Sequence, residues 1–272
     1  MTGRMAVLVV LAAGPSLSVA AELKPEALER WDGYTREADA RVAARLDAGK
    51  PFLSSDEANE QAARLRRGEI VIKPLVDRGS LSIPDGLIHD WLGAIFIPNA
   101  RLEEVLAVAH DYDHYKDYYA PAVADSKALD CTGAEQRFSM LLRRKVLFVN
   151  AAVRGQYESR DFIVNEHRWY TIAATTQVRE ISNYGQPAER LLPPDQGSGF
   201  LWRLHSIVRY EERDGGVYVE LEAIGLTRGV PASLRWFVNP IVARLSRNSL
   251  ITSLKETRDA VALRPQLLSQ LH

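Results

Sequence analysis

Apolar and polar positions alternate with a period of two along the last third of the chain. From Gly199 to Tyr210, Trp202, Leu204, Ser206 and Val208 fall on one face, while Arg203, His205 and Arg209 fall on the other. From Gly216 to Ile224, Val217, Val219, Leu221 and Ala223 oppose Tyr218, Glu220 and Glu222. Between the runs stands Arg213-Asp214-Gly215-Gly216, whose Asp-Gly and Gly-Gly steps supply the positive φ angles of a tight hairpin. The apolar faces are expected to line a concave interior. The charged faces are expected to be solvent-side cross-strand pairs, such as Arg209 with Glu220 or Glu222. Burying an arginine such as Arg203 inward, against a ligand's polar head, would require a paired carboxylate.

After the hairpin the period changes to that of a helix. Pro231 opens helical segments, and Asn239-Pro240 reads as a cap followed by a first helical residue. Ala243, Leu250, Leu254, Thr257 and Val261 then share a narrow arc. About 24 residues at ~1.5 Å each give a helix of ~36 Å, long enough to cross several strands.

Upstream, Leu28, Trp31, Ala38, Val42 and Leu46 recur at helical spacing until Gly49-Lys50-Pro51. Ser54 and Glu57 are spaced as a capping box for a second helix, which Gly68 closes. A first strand spans 69–75 and a second 86–97, ended by Pro98-Asn99. A helix carrying Leu102, Val105, Leu106 and Ala109 then runs into the aromatic segment 112–119, which Pro121 terminates. Further strands are expected at 136–149, 156–164 and 168–181, and the loop 183–199 is the longest irregular connection.

The first twenty residues stand apart. Arg4, the apolar run from Met5 to Ala13, the breakers Gly14-Pro15 and the small residues of Ser18-Val19-Ala20 have the layout of a signal peptide. Cleavage is expected after Ala20, with Ala21 as the second choice, and the product is expected to be secreted or periplasmic. The chain thus divides into a signal peptide (1–20), a helical extension (21–68) and one α+β domain (69–264). With 34 basic against 35 acidic residues the net charge is −1, which gives nucleic acid no electrostatic footprint to bind. Cys131 is the only cysteine, so no internal disulfide can form, and it reads as a turn residue beside a strand.

Strand, helix, several antiparallel strands and a long closing helix follow one another as in the helix-grip fold. The chain resembles START-like lipid-transfer domains and the wider superfamily of polyketide cyclases and Bet v 1-like proteins, in an exported bacterial branch. The resemblance is carried by Gly86 to Tyr119, Trp202-Arg203-Leu204, Gly215 to Glu220, and Thr227-Arg228-Gly229-Val230-Pro231. It implies a curved antiparallel sheet wrapped around the C-terminal helix, with an apolar molecule or lipid held between them.

The candidate ligand-binding residues are Phe138, Met140, Leu142, Trp202, Arg203, Leu204, Val219, Leu221 and Trp236. His110 and His114, four apart, have the separation used by zinc helices, but Asp111 stands where a metalloprotease carries its glutamate. No metal, cofactor or catalytic residue is assigned. Binding is favoured over catalysis because the apolar members of this lining carry no acid–base group. A cyclase or aromatase-type enzyme on the same fold and a structural domain with a filled core are the alternatives. Transient membrane contact is compatible with the carrier reading.

Overall fold

The computed structural model describes residues 21–47, 49–146, 149–229 and 235–269; the expected signal peptide lies outside the described residues. The helices are α1 (Pro25–Asp47), α2 (Asn59–Arg66), α3 (Leu102–Ala109), α4 (Tyr115–Tyr118) and α5 (Arg235–Ser269). The strands are β1 (Ala21–Glu22), β2 (Val71–Pro74), β3 (Ser80–Ile83), β4 (Gly86–Pro98), β5 (Val123–Thr132), β6 (Glu135–Val146), β7 (Val149–Asn165), β8 (Arg168–Ser182), β9 (Arg190–Leu191), β10 (Gln196–Gly197), β11 (Arg203–Arg213) and β12 (Gly216–Arg228).

One large sheet runs in the order β2-β4-β12-β11-β8-β7-β6-β5, with β3 on β4 and β9 on β8, and its pairings are all antiparallel. The sheet curves around α5, giving the expected helix-grip architecture. In the hairpin, Arg209 is paired with Glu220 and Val208 with Leu221. The turn residues Asp214 and Gly215 have φ of 56° and 75°, the conformation their small or polar side chains tolerate.

The central strand β4 shows why the two faces differ from an ordinary half-exposed sheet. Gly86 through Ile97 are all buried, because both faces of this strand are covered. On the inner face Trp91, Ile95 and Ile97 pack with Leu250 and Leu254 of α5 and with Val105 of α3. Gly93 lets α5 approach: a Cβ there would stand 2.7 Å from both Ile72 Cδ1 and Leu254 Cδ1. On the outer face Ala27, Trp31, Ala38 and Val42 of α1 pack on Ile88, Ile207, Ile224 and Leu226. The N-terminal helical extension is therefore a cover for the convex side of the sheet.

That cover corrects the expectation of a solvated charged face. Arg209, Glu220 and Glu222 alternate outward as expected, but they are only 3%, 0% and 3% exposed. Arg209 Nη1 lies 2.8 Å from Glu220 Oε1, and the same carboxylate accepts the backbone N–H groups of Ser54 and Ser55 at 3.0 and 2.9 Å. Arg41 of α1 reaches Glu222 at 2.8 Å, Tyr34 donates to Asp90 at 2.6 Å, and His205 meets Asp39 at 2.8 Å. Buried charges persist only when paired in this way.

Four further boundaries differ from the sequence reading. Ser54–Glu57 is a short 3₁₀ turn without a side-chain cap, since its N–H groups are taken by Glu220; the second helix begins at Asn59. The edge strand β5 has no counterpart among the expected elements, because only two of its ten residues are buried and the apolar alternation is weak. Cys131 lies on this strand and is exposed. β7 begins at Val149 rather than Gln156, and α5 begins at Arg235 rather than Pro240.

Candidate functional site

Between the inner face of the sheet and α5 lies a cavity of about 1840 Å³. Its walls come from β4, β6, β7, β8, β11, β12, α5 and the α3–α4 segment. Period two places Leu204, Ser206, Val208 and Tyr210 of β11, and Val219, Leu221 and Ala223 of β12, on this wall. Val242, Leu245, Ser249, Leu250, Ser253 and Leu254 contribute the facing side of α5. The cavity reaches the surface past exposed residues at Ser198, Asp85 and Arg228, and again past Arg143 and Ile241.

Phe138, Met140, Leu142, Trp202, Leu204, Val219 and Leu221 all line this cavity. Arg203 does not: its guanidinium donates to Asp195 at 2.5 and 3.2 Å and to the Trp202 carbonyl at 2.7 Å. Its assignment as a ligand contact is corrected accordingly. The carboxylate that a turned-in arginine would have needed is supplied instead by the preceding loop. Trp236 lies among residues whose side chains are outside the described ones.

Where the Tyr112–Tyr118 segment meets β6 and β7, aromatic rings form a layer in the cavity wall. Phe138 stacks on Tyr112 at a centroid separation of 4.1 Å and on Tyr157 at 4.9 Å. Tyr112 donates to Gln136, and Tyr115 to the Ala109 carbonyl. Burial pushes the Tyr112 phenol up to about 12 and raises those of Tyr115, Tyr157 and Tyr210 as well, so these groups are neutral.

His110 lines the same wall, with Asp161 behind it. His110 Nε2 is 2.9 Å from Asp161 Oδ2, and Thr171 donates to Asp161 Oδ1 at 2.6 Å. Burial pushes the Asp161 carboxyl upward, but the hydrogen bonds from His110 and Thr171 outweigh it and hold the group below the usual range. The wall is therefore not free of acid–base groups, as the apolar list alone suggested. His110 and His114 also do not act together. The helix breaks between them, and His114 Nδ1 pairs with Asp111 at 2.6 Å. Asp111 accepts locally from Tyr118 as well as pairing with His114, which competes with the helix here, and Asp113 ties the segment to β5 by accepting from the Ala128 N–H at 3.0 Å.

The sequence reading missed His89, Trp91, His110 and the tyrosines as cavity residues. The strand 86–97 is apolar on both faces, so its period of two sets His89 and Trp91 on one face with Ile95 and Ile97 but does not say which face is the inner one. His110 had no comparable signal, because its partner lies far along the chain.

In backbone the chain is similar to a STAR-related lipid transfer protein fragment from Xanthomonas axonopodis, at 14% identity and TM-score 0.45, covering 68% of this chain and 99% of that chain. It is similar to human STARD10 at 10% identity and TM-score 0.45, covering 78% of this chain and 83% of that one. A third similarity is to the Zhui aromatase/cyclase from Streptomyces sp. R1128, at 12% identity and TM-score 0.42, covering 65% of this chain and 95% of that chain. No protein-family model matches the chain, and neither does any curated protein.

Proposed function

We propose that the protein is an exported carrier that binds an apolar small molecule, a lipid by class, between the sheet and α5. The observation that carries this reading is the cavity of about 1840 Å³ with its largely aliphatic and aromatic wall. A core filled by its own side chains would leave no such space. A ligand burying ~400 Å² of apolar surface gains ~10 kcal/mol at ~25 cal/mol per Å². Ordering and lost translational freedom take back several kcal/mol, which leaves an affinity nearer micromolar than picomolar and suits a cargo that must be released.

Native mass spectrometry of the purified protein tests the reading by seeking co-purified lipid. Leu221→Trp should fill part of the cavity and weaken binding of a fluorescent fatty acid by about tenfold or more. Leu129→Trp, on the exposed face of β5, should leave it unchanged. Equal losses from the two, with folding confirmed by circular dichroism, would show that the cavity is not where the ligand sits.

Export rests on the layout of residues 1–20, and N-terminal sequencing of the product should read from Ala21. An intact Met1 on membrane-bound protein would overturn it. Transient membrane contact fits the rim where Arg143 and Arg144 of β6 meet α5, Arg144 Nη2 donating to the Leu245 carbonyl at 3.3 Å. The sequence carries no acidic residue from 138 to 157 or from 229 to 255, so this rim is locally basic on a nearly neutral chain.

His110 backed by Asp161 supports one second reading, general acid–base chemistry on the bound molecule. Catalysis would require His110→Gln to abolish turnover of a bound compound while preserving its binding.

A further inference from the structure

The apolar inner face of β6 ends in a cation. Phe138, Met140 and Leu142 line the cavity, and the period of two carries that face on to Arg144, which lines it as well. Arg144 is half-buried, and Arg143 beside it is exposed at the mouth that Ile241 shares. Arg144 Nη2 donates to the Leu245 carbonyl of α5 at 3.3 Å, and Arg143 Nε donates to the Pro121 carbonyl at 2.8 Å. Both partners are neutral. Among the described residues neither guanidinium has a carboxylate to pair with, although a guanidinium fork matches one well.

Other arginines drawn toward the interior are neutralised by the chain itself: Arg203 by Asp195 at 2.5 Å, Arg209 by Glu220 at 2.8 Å and Arg213 by Asp56 at 2.6 Å. No such partner is at hand around Arg144, because the sequence has no acidic residue from 138 to 157 or from 229 to 255. Asp125, set opposite Leu141 on β5, already has Arg154 at 3.6 Å. The other mouth of the cavity is different, with Glu22 and Asp85 set against Lys24 and Arg228. One mouth is therefore balanced and the other positive. A positive charge at the rim of a low-dielectric cleft attracts an anion more strongly than it would in water.

We propose that the cargo is an anionic amphiphile, whose carboxylate or phosphate head is held at this mouth by Arg144 with Arg143 beside it, and whose apolar tail runs inward along β6 and beneath α5. From Arg144 to Phe138 the strand covers ~20 Å at ~3.3 Å per residue, room for a long alkyl chain. This inference rests on the carrier reading and specifies the class of its cargo. The arginines are binding residues; no bond is made or broken.

The test uses the whole chain and four pyrene-labelled probes of equal chain length: a carboxylic acid, a monoalkyl phosphate, an alcohol and the methyl ester of the acid. The two anions should bind about tenfold tighter than the alcohol or the ester, the worth of one charge-assisted hydrogen bond. Arg144→Gln should bring the anions down to the level of the alcohol and leave the alcohol unchanged. Equal binding of acid and alcohol by the unsubstituted protein, or equal weakening of all four probes by Arg144→Gln, would overturn the assignment. Vesicles of phosphatidylcholine with phosphatidylglycerol separate a membrane's head groups from the cargo's own. If Arg144→Gln weakened vesicle binding but left the affinity for the monomeric acid unchanged, the arginine would serve the membrane surface and the assignment would fall. Should Arg144→Gln fail to fold, Ala151→Glu decides. Ala151 is set opposite Arg144 on β7 and lines the cavity too, so its new carboxylate should occupy the guanidinium and abolish the preference for anions. An undiminished preference in that variant would equally overturn the assignment. Failure of all four probes to bind would instead strike the carrier reading itself.

Discussion

Replacing Arg209 by methionine should lower the free energy of unfolding by about 3–5 kcal/mol, the usual result of removing one partner from a buried ion pair. The guanidinium is held 2.8 Å from Glu220, whose carboxylate is wholly buried and keeps only the Ser54 and Ser55 N–H groups once the arginine is gone. Glu222, 3.9 Å from the same guanidinium, retains Arg41 at 2.8 Å and should suffer less. The double variant Arg209→Met/Glu220→Gln should recover much of the loss, because no uncompensated charge then remains under α1. Urea denaturation of the single and double variants measures the coupling. A loss below about 1 kcal/mol for Arg209→Met would mean that the outer face is hydrated like a surface ion pair.

That buried charge layer marks the limit of what the sequence makes legible. Alternation along 202–208 and 217–223 was enough to tell the two faces of the hairpin apart, and Leu204, Val219 and Leu221 line the cavity as a result. Alternation also set Arg203 opposite Leu204; naming it a ligand contact went against that pattern, and its pairing with Asp195 follows the pattern instead. The stripe Trp31, Ala38 and Val42 showed that α1 buries one face, yet nothing local to it says which surface it covers. The answer depends on Arg41 meeting Glu222 and Tyr34 meeting Asp90, contacts between distant parts of the chain. The helix break at 110–114 and the His110–Asp161 pair are of the same kind. Periodicity reports which face is buried, and charge partnerships across the fold decide against what.

The pH dependence of stability should expose two neighbours on opposite faces of β4. Asp90, wholly buried on the outer face, has its carboxyl pushed up to about 7 by burial and by the Glu222 charge, against the hydrogen bond from Tyr34 and the charges of Arg41 and His205. Folding thus favours the protonated acid. Its contribution is complete below the ordinary value of 3.8 and is lost as pH rises through about 7. His89, on the inner face, is held by burial at about 4 instead of 6.5, so folding favours the neutral ring. Its contribution is complete above 6.5 and is lost as pH falls toward 4. Each slope is about 1.4 kcal/mol per pH unit, and between pH ~4 and ~6.5 the two oppose one another. The unsubstituted protein should therefore show nearly constant stability from pH 5 to 6.5, then lose only about 0.5 kcal/mol by pH 8, as the last of the Asp90 contribution disappears against the final part of the His89 gain. Asp90→Asn should uncover the histidine: stability should rise by roughly 1.5–2 kcal/mol from pH 5 to 6.5 and level off above. His89→Gln should uncover the aspartate, falling by a similar amount over the same interval and continuing down to pH 8. Urea midpoints at pH 5, 6.5 and 8 for the three proteins check this. Parallel profiles for the unsubstituted protein and Asp90→Asn would show that Asp90 does not titrate in this window, and that water reaches the layer beneath α1.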